Sequence, residues 1–187
     1  MKKRLWHMTP YDDAPLFRVM HIAVAVLILF QIINSNFTER ESLGQHTLDA
    51  FITWVHISSG ILLIVLGVFL FSWMLVKRGF FYYFSWVKFD FKDIVQDVFL
   101  LKHGKLPEAH HGGLAATVQG AGVLALLIVA MSGGLWFLLE SINAPLSLTK
   151  MIIHWHKFMT AFVEIYFFSH GAMGVLHLFL RYRQTTV

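Results

Sequence analysis

The stretch WHKFMTAFVEIYFFSH, residues 155–170, sets two histidines fourteen positions apart in an otherwise apolar run. In a helix that interval is almost four turns, so His156 and His170 leave the same face, about 21 Å apart along the axis. The run that holds them extends over about 150–180, long enough to cross a hydrocarbon core. Working outward, three more stretches pass the same length test: about 15–35, 50–76 and 112–139. The expected fold is all-α, a four-helix transmembrane bundle forming a single domain over residues 1–187.

Composition agrees with that reading. Hydrophobic residues make up 57% of the 187 positions and charged residues 14%, and mean hydropathy is +0.62. A soluble domain of this size rarely reaches such values. The cations gather in alternate connections. Lys2, Lys3, Arg4 and Arg18 lie before or at the start of the first stretch, and Lys77, Arg78, Lys88, Lys92, Lys102 and Lys105 lie between the second and third. Arg181 and Arg183 follow the fourth, whereas the other two connections carry only Arg40 and Lys150. Positive residues are retained on the cytoplasmic side, so both termini are expected there, with the protein multi-pass in a bacterial cytoplasmic (inner) membrane. The sequence pI of about 9.4 follows from these charges and gives no reason for a nucleic-acid partner. The opening MKKRLWHMTPYDDAP has no apolar region or cleavage site of a removable signal peptide, so the first span is expected to stay in place.

Between the second and third spans, Ile94, Val95, Val98, Phe99 and Leu101 recur at helical spacing among Asp93, Asp97 and Lys102. This predicts a short helix at the inner interface, within about 88–103. Trp54, Tyr82, Tyr83, Trp86, Trp136, Trp155 and Tyr182 sit near span ends, where aromatic belts form.

The chain has no cysteine, which excludes disulfides, thiolate metal sites, covalent haem attachment and iron–sulfur clusters held by this chain. Any redox cofactor must then be held by histidine. The first two spans offer His21 in RVMH and His56 in WVHISSG. A histidine in the bilayer is costly and needs a partner, and haem iron is one that accepts neutral imidazole on both faces of the porphyrin. Depth pairs the four. His56 lies seven residues past Asp49 and His156 six past Lys150, each about 10 Å below the outer boundary, which assigns them to an outer haem. His21, on the inner side, pairs with His170 at an inner haem.

A porphyrin plate needs a small neighbour one turn from each ligand. The residue at +4 is Ala25 after His21, Gly60 after His56, Thr160 after His156 and Gly174 after His170. After His177, the competitor for the inner position, it is Arg181. Gly67 shares the face of His56 and is expected to clear space near the inner haem. His7, His46, His103 and His154 are read as tail, loop or outward-facing residues. His110 and His111 begin the third span as interfacial residues, with service to a quinone or a propionate as the alternative. Glu164 is expected as a neutral acid bonded to another helix, or else as a proton carrier. Lys150 and Lys157 stand near the outer haem as snorkelling residues or as partners for propionates or an anionic reactant. Gly120, Gly122, Gly133 and Gly134 are read as helix-packing positions.

RVMH, WVHISSG, FKDIVQD and WHKFMTAFVEIYFFSH together resemble the bacterial cytochrome b561 family, which includes the cytochrome b subunits of nickel-iron hydrogenases and formate dehydrogenases. The resemblance covers about residues 16–181 and implies a four-helix bundle with two bis-histidine haems b, ligated by His21, His56, His156 and His170. It implies electron transfer between a redox partner protein and the quinone pool of a respiratory chain. Similar four-span members that act alone include a superoxide oxidase that reduces quinone. Three functions therefore stay open at this point: a diheme electron carrier, a superoxide:quinone oxidoreductase, and a haem-free membrane scaffold or transporter.

Overall fold

Pro15 opens the first long helix, a position where its missing N–H costs nothing and its fixed φ favours the turn. The computed structural model describes residues 14–107 and 109–186, with side chains to residue 179. Lys2, Lys3, Arg4 and His7, and the side chains of Arg181, Tyr182 and Arg183, lie outside the described residues. Helix α1 runs Pro15–Asn34 and α2 runs Leu48–Arg78. At the start of α2 the Thr47 side chain accepts from the Ala50 N–H at 3.2 Å. Asp49 occupies its first turn, Lys77 and Arg78 its last, and Gly79 ends it at φ 80°.

The inner connection folds as a one-turn helix α3 (Phe80–Tyr83), a 3₁₀ turn and the amphipathic helix α4 (Lys92–Lys102). Helix α5 (Leu114–Ser141) and the long α6 (Leu146–Thr186) complete the chain. The four long helices are each apolar enough to span a membrane, and the protein is a multi-pass membrane protein. Their outer faces expose large apolar side chains such as Leu16, Val65, Ile165 and Val175, each more than 60% exposed, which only a bilayer would cover.

The inner connection does more than lie at an interface. Tyr83 and Phe84 are buried and press against Gly120 of α5, where a Cβ would stand 2.8 Å from the Tyr83 Cβ. Tyr83 and Trp136 therefore leave the expected aromatic belt, while Trp54, Trp86 and Trp155 remain exposed. Asp97 of α4, 1% exposed, accepts from the Leu114 N–H at 2.7 Å and so caps α5 from outside that helix. Removing it in Asp97→Ala orphans a helix-end donor, so we expect a loss of about 2 kcal/mol, read as an earlier thermal unfolding transition.

Packing along the bundle is uneven. Helix α1 contributes Phe17, Met20, Val24 and Ile28 to the core, α2 contributes Leu63, Leu70 and Met74, and α5 contributes Val123, Leu126 and Leu127. From α6 only Val163 joins them among the described residues. In the most apolar window of α6, 6% of residues are buried, against 22% to 28% in the other three spans. The fourth span therefore lies along α5 and stands off from α1 and α2.

Candidate cofactor site

All four spanning histidines sit on the three helices that enclose this loosely packed side: His21 on α1, His56 on α2, and His156 and His170 on α6. All four are partly buried. They gather in twos. The His21 and His170 rings face one another across α1 and α6, centroids 6.1 Å apart with planes at 76°. Two imidazoles bound to opposite sides of one metal through bonds of about 2 Å place their ring centres about 6 Å apart. His56 and His156 lie close enough for a charge on one to act on the other. Among the described residues no group of three or more His, Asp or Glu comes together as a metal site. Two protein nitrogens leave the remaining positions to a group that brings its own ligands, as a porphyrin does.

The His156 ring is held by α5. Its Nδ1 lies 3.0 Å from the Val129 carbonyl and 3.2 Å from Ser132 Oγ, which itself donates to the same carbonyl at 2.8 Å. A carbonyl only accepts, so Nδ1 carries the hydrogen and Nε2 keeps its lone pair for a ligand bond. Gly133 makes this possible, since a Cβ there would stand 2.9 Å from His156 Cε1. On the inner side Tyr166 stacks on His170, centroids 5.2 Å apart and planes at 17°. Gly122 of α5 admits the Tyr166 ring, because a Cβ on Gly122 would fall on that ring. Gly120, Gly122, Gly133 and Gly134 are thus packing positions, receiving Tyr83 and Phe84, Tyr166, His156 and Ile64 respectively.

His56 differs from His156. Its Nδ1 is buried with no hydrogen-bond partner among the described residues. Its carbonyl accepts from Gln31 Nε2 at 2.9 Å. Gly60 faces that same amide, with Nε2 3.5 Å from a built Cβ, whereas Gly174 faces open space. Gly67 does not line the histidine side as expected. A Cβ on it would stand 3.0 Å from Leu127 Cδ2, so α5 already fills that volume.

His177 donates its Nδ1–H to the Met173 carbonyl of its own helix at 3.0 Å, and it is His170 that meets His21. His103 bonds back to the Phe99 carbonyl at 2.8 Å, and His154 is exposed. His110 turns toward Asp97 at 3.8 Å and His111 packs edge-on against Tyr82. Glu164 stands half-buried on α6. At the outer end Arg40 binds Glu140 at 2.9 Å, so its charge is already answered. Lys157 is exposed beside His156, close enough to act on it electrostatically. Arg18, three residues before His21, is 3% exposed. Its place in RVMH reads as a topology charge, and only the fold reveals that it is buried.

The model of the family described as prokaryotic cytochrome b561 matches residues 14–186. Neither a curated protein nor a solved structure matches the chain.

Proposed function

Because the chain belongs to the prokaryotic cytochrome b561 family, and is thus a membrane b-type cytochrome of electron transfer, we propose that it holds two haems b and passes electrons across the bilayer to quinone. The observation that carries the diheme reading is the facing of His21 and His170 at metal-bridging separation, on helices that otherwise scarcely touch. His56 and His156 hold the outer haem and His21 and His170 the inner one. When bound, each haem supplies a one-electron Fe(III)/Fe(II) couple, tuned by its two imidazoles.

The side chains perform the rest. His156, anchored on the Val129 carbonyl, presents Nε2 in a fixed direction, and the stacked Tyr166 restrains the His170 ring. Two imidazoles on one iron leave no open position, which favours electron transfer over capture of an outside ligand. Lys157, exposed beside His156, would supply a cation for a haem carboxylate. Ligands fourteen residues apart on α6, about 21 Å along that helix, would hold the two haems on opposite sides of the membrane midplane. Quinone takes two electrons and two protons. The cations gathered at the inner connection, against the paired Arg40 at the outer end, support cytoplasmic termini and an inner-membrane location.

Pyridine-haem analysis of the purified protein tests the reading, with two haems b per chain expected and one sufficient to overturn it. Gly174 is proposed to give the inner porphyrin clearance, and Gly60 the outer one. Gly174→Leu is then expected to evict the inner haem selectively, and a normal redox spectrum for that variant would show the open space serves something else.

The exposed Lys157 beside His156 favours a second reading, in which that cation would draw in superoxide: two superoxide anions would each give up one electron and leave as dioxygen, and one quinone would take the two electrons with two protons. Stopped-flow mixing of the oxidised protein with superoxide separates the two. The electron-carrier reading expects no haem reduction within milliseconds, whereas fast reduction sustained by added quinone assigns superoxide oxidation.

A further inference from the structure

Gln31 is a polar residue in the apolar first span, out of reach of bulk water. Both amide hydrogens have partners on α2: one bond runs to the His56 carbonyl at 2.9 Å and one to Ser59 Oγ at 2.9 Å. Ser59 passes its own hydrogen to the Val55 carbonyl at 2.5 Å. Because the His56 carbonyl only accepts, the amide cannot be turned over, and Oε1 must point away from these groups. That oxygen is buried with no partner among the described residues. So is Nδ1 of His56, on the residue Gln31 already holds.

One group lacks a donor and the other an acceptor, on two residues tied together by the bond from the Gln31 side chain to the His56 backbone carbonyl. Once His56 ligates iron through Nε2, its Nδ1 has to carry hydrogen, and a buried N–H requires an acceptor. The other outer ligand has one, the Val129 carbonyl against His156.

We propose that Gln31 is a positioning residue for the outer haem: its Oε1 accepts the Nδ1–H of His56 through one buried water, and so sets the orientation and basicity of that ligand. The inference rests on the diheme assignment above. A hydrogen bond accepted from a ligating imidazole makes the ring a better donor to iron and favours the oxidised state, so losing it raises the reduction potential.

The test is a redox titration of the full chain in lipid nanodiscs, with low-temperature EPR of the oxidised haems, comparing the natural protein with Gln31→Leu and Gln31→Glu. The outer haem is identified as the one absent from His156→Ala. We expect Gln31→Leu to raise its potential by roughly a tenfold change in the reduction equilibrium, about 59 mV for one electron. Gln31→Glu, which keeps and strengthens the acceptor, is expected to lower it below the natural value. The inner haem should not move. If Gln31 only ties α1 to α2, both substitutions shift the outer haem in the same direction, or both haems together, and the proposal fails. An unmoved outer potential in Gln31→Leu also overturns it. Should Gln31→Leu not accumulate, Gln31→Glu decides alone: an outer potential below the natural one supports the proposal, and one at or above it does not. Fewer than two haems in the natural protein would instead sink the diheme reading, independently of Gln31.

Discussion

His170→Ala and His21→Ala are each expected to lose the same haem, and His56→Ala and His156→Ala the other, so that every variant retains half the natural haem content. The pairing follows from two separate observations. The spacing of His56 from Asp49 and of His156 from Lys150 matches those two, and the fold sets the His21 and His170 rings 6.1 Å apart across helices with little other contact. Removing one of the paired imidazoles would leave the porphyrin held by a single histidine. Redox titration then shows a single potential in place of two, with the same component missing from both members of a pair. His177→Ala should keep both haems, since that ring already bonds the Met173 carbonyl one turn back. Retention of two haems in His170→Ala together with loss of one in His177→Ala would transfer the inner ligand to His177.

The parts of this protein that periodicity and length control were readable in its residues, and the parts that depend on cross-helix contact were not. Four apolar runs announce four spans, and the observed helices begin and end within about six residues of the expected bounds, the largest difference being at the end of α6. The fourteen-residue interval in α6 locates two ligand candidates because a helix repeats its face. The Val129 carbonyl that anchors His156 leaves no such trace, since every residue has a carbonyl and only packing decides which one is met. Tyr166 on His170 is a near-miss of the same kind: four residues apart on one helix, it is on the correct face, yet an aromatic there reads equally well as lipid-facing. Gly67 fails for the converse reason. Its helical phase relative to His56 is right, but α5 supplies Leu127 to that volume, and phase along one helix does not reveal what a neighbour inserts. Asp97 caps α5 across a gap of seventeen positions, so its burial follows from the loop geometry that Gly112, at φ 70°, permits.

The glycines of α5 give the second large effect, because two of them act on different ligands. Gly122→Ala puts a methyl group where the Tyr166 ring lies, so the ring must leave and His170 loses its stacked neighbour. Gly133→Ala sets a Cβ 2.9 Å from His156 Cε1, too close for the ring to keep its bond to the Val129 carbonyl. Overpacking a closely fitted position costs about 1–3 kcal/mol, and here that cost falls on a ligand's orientation. The expected outcome is a crossed pattern: Gly122→Ala depletes or shifts the inner haem and spares the outer, and Gly133→Ala does the reverse. Tyr166→Leu provides the control, because it removes the stack without adding volume to α5 and should reproduce the inner-haem change of Gly122→Ala. Small residues also serve simply to bring membrane helices close, and α5 lies against α6 along much of its length. If closeness were all these glycines supply, either substitution would wedge α5 from α6 and lower both haems together, and Tyr166→Leu would leave the spectrum unchanged. Redox-resolved spectra of the three variants read the difference directly, since the two accounts assign opposite selectivity to the same methyl group.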